Sequence, residues 1–284
     1  MACSPKLNRT RFAPSPTGLL HLGHAYAALV AHERARVGQF LLRVEDIDRS
    51  RCRPAYEAAL QEDLAWLGLT WQQPVWRQSE RLATYAAAVE RLISLDLCYP
   101  CRCTRRDIRA SLSAPQEGVH GPDGLVYPGT CRHRLMGDAG PADAIRLNLS
   151  RAFDHLGPAA LCFVETGPAM AGPHTVHKEW LLTQAGDIIL ARRDMGTSYH
   201  LAVVVDDAAQ RITEVTRGED LFEATFIHVL LQALLGLPTP AYHHHKLIRD
   251  DAGKRLAKRD DARALRRYRD DGASPADIRR MIGL

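Results

Sequence analysis

The sequence predicts an α/β fold with a parallel sheet, and two observations lead to this expectation. Residues 40–44 form an apolar run without polar alternation, which is typical of a strand buried inside a parallel sheet. Before it, residues 7–12 can form a first strand, and the alanine-rich residues 24–37 favour a helix. A strand, a helix and a second strand make a βαβ unit, so we expect ligands to bind at the carboxyl ends of the strands.

Later segments extend the same pattern. The spacing of apolar residues predicts helices at 55–67, 80–97 and 226–235. Short apolar runs predict strands at 144–149 and 187–192, and the continuous apolar run 201–205 predicts a central parallel strand.

Composition bounds the class of protein. The chain has 284 residues, enough for one large domain or two modest ones, and its formal net charge of +4 permits a nucleic-acid partner without requiring one. Seven cysteines are an odd count, and the first residues form no apolar leader, so we do not expect a disulfide framework. No apolar run is long enough to span a bilayer, so we expect a cytoplasmic protein without a membrane partner.

The stretch 11–24 is the first candidate site. Its prolines and glycine predict a loop that leads into the helix, so His21, Gly23 and His24 lie near a helix N-terminus. Backbone N–H groups and the helix dipole favour an anion at such a position. The alternative is an ordinary turn between a strand and a helix, with two surface histidines.

A second candidate follows the strand 40–44. Residues 45–51 carry the three carboxylates of Glu45, Asp46 and Asp48 at the expected ligand-binding edge of the sheet. Such a group could bind a metal ion. The alternative is a solvated loop with a helix N-cap and arginine partners.

The third candidate is a cysteine-rich segment. From residue 98 the chain becomes rich in cysteine, glycine, proline and arginine, and Cys101, Cys103 and the later Cys131 could supply thiolates to zinc. Zinc in structural sites prefers four tetrahedral ligands, and His120 and His133 are candidates for the fourth position. The alternative is a group of buried or idle cysteines.

These segments together resemble a known family. The stretch 11–24, Arg-Phe-Ala-Pro-Ser-Pro-Thr-Gly-Leu-Leu-His-Leu-Gly-His, resembles the "HIGH" motif of class I aminoacyl-tRNA synthetases in their glutamyl and glutaminyl branch. Segments 43–48, 199–207 and 215–221 are similar to further family motifs in the same order, and 253–259 resembles the "KMSKS" motif. Arg255 and Ala257 differ from the family pattern there, so the sequence does not say how that loop closes.

The resemblance implies an architecture. We expect a Rossmann-like catalytic domain in two halves, 1–97 and 193–245, around an inserted zinc-containing, acceptor-binding-like subdomain at 98–192. Residues 246–284 would hold the KMSKS-like loop and a short helical tail, and we expect no anticodon-binding domain.

The resemblance also implies site residues. The residues expected to act in catalysis are His21, His24 and Lys258, and those expected to bind ATP are His21, Gly23, His24 and Lys258. The residues expected to bind glutamate are Arg11, Phe12, Ala13, Pro14, Ser15, Glu45, Tyr199 and Arg217. The ligands expected for a structural Zn²⁺ are Cys101, Cys103, Tyr127 and Cys131.

The nearest resemblance is to a truncated paralogue of glutamyl-tRNA synthetase. It implies ATP-dependent activation of L-glutamate, with Mg²⁺, and transfer to the queuosine base at the wobble position of tRNA(Asp). The expected partner is the anticodon stem-loop of that tRNA, and we expect a monomer. Two alternatives are a short glutamyl-tRNA synthetase that charges a tRNA 3′ end and an inactive RNA- or zinc-binding module.

Overall fold

The computed structural model describes residues 8–35, 39–111, 120–122, 124–158, 160–192, 194–249 and 263–284. Its strands are β1 Thr10–Phe12, β2 Phe40–Val44, β3 Gln72–Arg77, β4 Cys98–Cys101, β5 His120–Gly121, β6 Gly124–Leu125, β7 Ala144–Leu147, β8 Cys162–Glu165, β9 Gly172–Thr175, β10 Ile189–Ala191, β11 Glu214–Gly218 and β12 Ala241–His245. Its helices are α1 Leu22–Arg34, α2 Pro54–Trp66, α3 Leu82–Ser94, α4 Arg105–Ser111, α5 Leu149–Leu156, α6 Lys178–Trp180, α7 Tyr199–Ala209, α8 Ala224–Leu235, α9 Leu265–Asp270 and α10 Pro275–Ile282.

The predicted parallel sheet is present and forms in two parts. Strands β1, β2 and β3 are parallel neighbours in that order, and β11 pairs in parallel with β12. The two parts meet where the carbonyl oxygen of Arg9 accepts hydrogen bonds from the amides of Thr213 and Glu214, at 3.0 and 3.3 Å. Strand β2 lies on one side of β1 and β11 lies on the other, so the strand order changes direction at this junction. Such a point is a topological switch point, where parallel sheets bind ligands.

The strand predicted at 201–205 is wrong. These residues lie inside helix α7, which begins after the N-cap Ser198, whose side chain accepts a hydrogen bond from the Leu201 amide at 3.4 Å. Helix α7 packs against α3 and α8, so Leu201, Val203 and Val204 are all buried. A helix that is apolar on most sides gives the same short apolar run as a buried strand.

Most other elements lie close to their predicted positions. Strand β2 has the predicted bounds, and α1 begins at Leu22, two residues before the predicted start. Helix α3 is shorter at both ends than the predicted 80–97. Strand β3 was not predicted, because its sequence, Gln-Gln-Pro-Val-Trp-Arg, is largely polar and half-buried at the sheet edge.

The predicted insert is only partly separate from the catalytic sheet. Strands β4, β7 and β10 form an antiparallel sheet of their own, with Cys98 opposite Leu147. Strand β8, however, adds to the edge of β12 through the pair Glu165 and Tyr242, and β9 pairs with β8. Two strands of the expected insert, β8 and β9, therefore extend the sheet that β11 and β12 form.

Two large apolar clusters of the described residues pack the helices against the strands, and a small third one surrounds Tyr127. Leu29 of α1, Leu64 of α2 and Ile278 of α10 are buried against β1 and β2, while α3, α7 and α8 share the second cluster. Within the described part of the chain, no helix combines the length and the apolar character needed to cross a lipid bilayer.

Candidate active site

The N-terminus of α1 brings the two predicted histidines together. His21 is the N-cap, and its Nδ1 accepts a hydrogen bond from the Gly23 amide at 3.1 Å. The Nδ1 of His24 accepts from the His21 amide at 3.2 Å, and the two ring centroids are 3.8 Å apart. A neutral imidazole that accepts at Nδ1 carries its proton on Nε2. Both rings can therefore donate hydrogen bonds from Nε2 to an anion at this helix end.

Gly23 is needed for this arrangement. A Cβ atom at position 23 would stand 3.1 Å from Cε1 of His21, which is closer than ordinary contact. The glycine thus lets the His21 ring lie against the first turn of α1, where it caps the helix.

A buried charge cluster lies at the carboxyl ends of β1 and β2. Arg11 donates two hydrogen bonds to Asp207, from Nε at 2.8 Å and from Nη2 at 3.2 Å, and a third to the Thr216 carbonyl at 3.2 Å. Arg43 donates to the same carboxylate at 2.8 Å and contacts Glu45 at 3.3 Å. Sequence reasoning identified Arg11 and Glu45 but missed Asp207 and Arg43, which orient them.

The two acids of this cluster differ in pKa. Burial alone would raise the pKa of Asp207, but Arg11 and Arg43 outweigh it and hold that pKa below its ordinary value. Burial also raises the pKa of Glu45, and here the two arginines do not outweigh it. An ammonium group beside Glu45 would lower this pKa again, so the site suits the amino group of a substrate.

Arg217 is held by three side chains. Its Nε donates to Nε2 of His244 at 3.0 Å, its Nη1 donates to Nδ1 of His228 at 3.0 Å, and its Nη2 donates to the Thr225 hydroxyl at 2.6 Å. A guanidinium has five N–H donors, so one remains on each terminal nitrogen. Two such donors suit a substrate carboxylate.

The partners of Arg217 have defined proton positions. Because arginine only donates, His244 must accept at Nε2 and donate from Nδ1 to Glu165, whose Oε2 lies 2.5 Å away. For the same reason His228 accepts at Nδ1 and donates from Nε2 to Nδ1 of His200, at 2.9 Å. Burial and the charge of Arg217 lower the pKa of His228 well below its ordinary value, so the ring stays neutral.

Tyr199 lies among the predicted glutamate contacts. Burial raises the pKa of its phenol, and the charges of Arg217, Glu45 and Arg11 also act on it. These side chains therefore converge near the junction of β1 and β11. Arg11 lies near the start of the chain and Tyr199 in its last third, so no short sequence pattern joins them.

The other predicted contacts in the loop after β1 differ in exposure. The Phe12 side chain packs in the apolar cluster around α1, so only its backbone remains a candidate contact. Ser15 is exposed, Ala13 is half-buried, and the carbonyl of Pro14 accepts a hydrogen bond from the Glu45 amide at 3.0 Å. Lys258 and the rest of the KMSKS-like segment 253–259 lie outside the described residues.

The cysteine cluster has the geometry of a metal site. The sulfur atoms of Cys101, Cys103 and Cys131 lie within 4.8 Å of one another. The Tyr127 oxygen is 3.4 Å from the Cys101 sulfur and 3.6 Å from that of Cys103, and the Cys103 and Cys131 sulfurs are 3.5 Å apart. Zinc–sulfur bonds of about 2.3 Å and zinc–oxygen bonds of about 2.0 Å give tetrahedral edges of about 3.5 to 3.8 Å. These three distances match the edges of one tetrahedral zinc site.

The thiols of the cluster differ in pKa. Burial would raise the pKa of Cys131, but hydrogen bonds, chiefly with Tyr127, outweigh it and hold that pKa below its ordinary value. Burial raises the pKa of Cys103 to about 11, so at neutral pH a bound metal must displace its proton. Of the two rival fourth ligands, His133 is exposed and is not part of the cluster, and the side chain of His120 lies outside the described part of the chain. Cys52 and Cys162 lie elsewhere, as expected of cysteines without a ligand role.

Comparisons with known proteins place the chain in a family. The sequence model of the family described as tRNA synthetases class I (E and Q), catalytic domain, matches residues 8–135 and 174–284. A relative in Rhodobacter capsulatus, "Glutamyl-Q tRNA(Asp) synthetase", is 62% identical over 281 residues, which are 97% of this chain and 99% of that protein. A protein of the same name in Albidiferax ferrireducens is 40% identical over 90% of this chain and 85% of its own length.

A solved structure has the same fold. The crystal structure of glutamate-tRNA synthetase from Elizabethkingia anophelis matches with a TM-score of 0.70 and 28% sequence identity. The match covers 90% of this chain and 53% of that one, so the chain spans about half the length of the solved enzyme. The chain therefore belongs to the class I aminoacyl-tRNA synthetases, in the catalytic-domain family of the glutamate and glutamine enzymes.

Proposed function

We propose that the chain activates L-glutamate with ATP and transfers the glutamyl group to the queuosine base at the wobble position of tRNA(Asp). Relatives called glutamyl-Q tRNA(Asp) synthetase, at up to 62% identity over nearly the whole chain, support the reaction. The structural observation that carries the first step is the buried cluster in which Arg11 and Arg43 share the carboxylate of Asp207 and Arg43 contacts Glu45. Arg217 directly follows Thr216, whose carbonyl accepts a hydrogen bond from Arg11.

In the first step, an oxygen of the glutamate α-carboxylate attacks the α-phosphorus of ATP, and pyrophosphate leaves. The substrate ammonium pairs with Glu45, and Arg217 and Arg11 face the substrate carboxylates. Glutamine is rejected because its amide NH₂ would meet guanidinium donors that have no acceptor to offer. Such a transfer is catalysed by positioning and by stabilising charge.

In this step, the N-terminus of α1 binds the phosphates of ATP. His21 and His24 donate from Nε2 to the developing phosphate charge, and Gly23 lets the phosphate approach the backbone. Lys258 adds a cation from the KMSKS-like segment, and Mg²⁺ bound with ATP neutralises further charge.

We assign a structural zinc ion to Cys101, Cys103, Cys131 and Tyr127. Four protein ligands fill a tetrahedral site, so no position remains for water and the ion has no direct catalytic part. When bound, the ion would join β4 to the segment that carries Tyr127 and so stabilise the insert.

In the second step, a hydroxyl of the queuosine cyclopentenediol attacks the glutamyl carbonyl carbon. An ester forms, AMP leaves, and the hydroxyl proton is lost to solvent. The modified base lies in a single-stranded loop, so it can enter a pocket without melting a duplex. All the site residues lie on one chain, so a monomer suffices, and we expect the queuosine-containing anticodon stem-loop to suffice as acceptor.

Glutamate-dependent exchange of pyrophosphate into ATP tests the first step. We expect exchange with glutamate, none with glutamine, and no requirement for tRNA. His24→Ala should lose about 100-fold or more, the usual effect of removing one donor to a developing charge. His155→Ala, an exposed histidine on α5, is the matched control and should change nothing. Exchange that needs tRNA, or equal activity with glutamine, would contradict the proposal. No exchange at all would favour an inactive RNA- or zinc-binding module.

A further inference from the structure

A cavity of about 570 Å³ lies between the insert and the N-terminus of α7. Its walls include Tyr127, Arg146, Tyr199 and His200. None of its described lining residues belongs to the loop 11–24, where the phosphates of ATP are placed. The volume is within the range of about 300 to 1,000 Å³ that is usual for ligand sites.

Arg146 lines this cavity as a buried cation without a carboxylate partner. Only 5% of the residue is exposed, and its Nη1 donates to the backbone carbonyl of Asp187 at 2.6 Å. Its guanidinium lies 3.8 Å from the ring centroid of Tyr127. Its Nε is buried without a hydrogen-bond partner, and among the described residues no carboxylate oxygen lies within 4.0 Å of its nitrogens.

The carboxylate of Asp187, the residue whose backbone Arg146 contacts, already has other partners. The Asp187 carboxylate accepts hydrogen bonds from the Tyr99 hydroxyl at 2.6 Å, from the Leu149 amide at 3.0 Å, and from Arg132. It therefore forms an ion pair with Arg132, and Arg146 has no carboxylate partner among the described residues. A buried charge that is not paired is costly, so the arrangement favours an anionic ligand.

The rest of the lining is also suited to an anion. Arg105 and Arg192 stand at the walls, and helix α7 directs its positive N-terminal end toward the cavity at Tyr199. His200, whose Nδ1 accepts from His228, also lines the cavity.

We propose that this cavity binds a phosphodiester of the RNA strand that carries the acceptor nucleoside, with Arg146 as the buried partner of the phosphate. The inference rests on the proposed function. Glutamate already has Arg217 and Arg11, and ATP has the N-terminus of α1, so the remaining anionic substrate is the RNA. Tyr199 belongs both to this cavity and to the glutamate site, so a nucleoside held here lies beside the activated carbonyl.

Glutamate transfer at varied tRNA and salt concentrations tests this site. Arg146→Gln should raise the KM for queuosine-containing tRNA(Asp) at least tenfold. The slope of log kcat/KM against log salt should become shallower by about 0.7 to 0.9, the change for one lost phosphate contact. Arg146→Lys should keep the slope. Glutamate-dependent pyrophosphate exchange without tRNA should stay within twofold of the parent protein.

Two further variants keep the test decisive. Arg105 is exposed, so Arg105→Gln should fold normally, and it should raise the same KM if the cavity binds RNA. Arg151→Gln, an exposed arginine on α5 outside the cavity, is the matched control and should leave KM and slope unchanged.

Three outcomes would overturn the proposal. The first is an unchanged KM and salt slope in both Arg146→Gln and Arg105→Gln, which would make Arg146 a structural partner of Tyr127. The second is a loss of exchange without tRNA in folded Arg146→Gln, which would assign the residue to glutamate or ATP. The third is an equal effect of Arg151→Gln. Absence of exchange in the parent protein would instead refute the proposed function, so the two failures are distinguishable.

Discussion

Replacing Glu165 by glutamine should weaken glutamate binding without removing a contact to the substrate. Oε1 of Glu165 accepts from the Gly167 and His244 amides, at 2.6 and 2.9 Å, and Oε2 faces Nδ1 of His244 at 2.5 Å. In Glu165→Gln the side-chain oxygen still accepts hydrogen bonds from the two backbone amides, so the new NH₂ group faces Nδ1 of His244. The His244 ring must then accept at Nδ1 and carry its proton on Nε2. That proton points at the Nε–H of Arg217, so the hydrogen bond between His244 and Arg217 is lost.

The magnitude follows from the bond that is lost. A hydrogen bond to a charged group contributes about 1.5 to 3 kcal/mol, and each 1.36 kcal/mol is about tenfold in an equilibrium. If Arg217 is displaced from its carboxylate-binding position, the KM for glutamate should rise roughly 10- to 100-fold. The KM for ATP should not change, because the phosphates are placed at α1.

Pyrophosphate exchange at varied glutamate and ATP measures both constants. Glu214→Gln is the matched control, since this buried glutamate of the same sheet pairs with Arg34 at 2.6 Å. It should lower the free energy of unfolding but leave the KM for glutamate unchanged. An unchanged KM for glutamate in folded Glu165→Gln would refute the argument that His244 positions Arg217.

Three further predictions concern the metal, the charge cluster and pH. Metal analysis should find one zinc ion per chain in the parent protein and in Cys162→Ser, and none in Cys103→Ser. A parent protein that contains no zinc would contradict the assignment. Arg43→Met should lower the free energy of unfolding in urea by about 3–5 kcal/mol, because it leaves Asp207 and its neighbours buried without this cation; a loss under 1 kcal/mol would contradict this. Burial lowers the pKa of His228 and of the three β12 histidines, so below their ordinary pKa of 6.5 the unfolded chain binds more protons than the folded chain. The free energy of unfolding should therefore fall as pH is lowered from 7.5 to 6.0, and a rise would contradict the sign.

Local chemistry made part of the site predictable. The turn residues and the capping pattern around His21 and His24 act within a few residues, so the helix N-terminus could be found from the sequence. The same reasoning failed at α7, because an apolar run that is buried on most sides does not show a period of its own. The three cysteines and Tyr127 were expected from the family resemblance, and their atoms do lie together.

The partner residues were not predictable in the same way. Arg43 and Asp207 are 164 residues apart in the chain, and no short pattern joins them. One signal was available: a lone arginine inside the apolar strand β2 needs a buried acid, and the pair Asp206 and Asp207 directly follows an apolar run. Arg146 had no such signal, since the lack of a counter-ion is visible only once its neighbours are placed.

The central claim is that glutamate goes to the modified base and not to the tRNA 3′ end. The most direct measurement is glutamate transfer to queuosine-containing tRNA(Asp) from which only the 3′-terminal adenosine has been removed, beside intact tRNA(Asp) with and without queuosine. The account predicts equal transfer to both queuosine-containing tRNAs and none to the unmodified tRNA. Loss of transfer with the 3′ adenosine, or charging of unmodified tRNA(Asp), would contradict it.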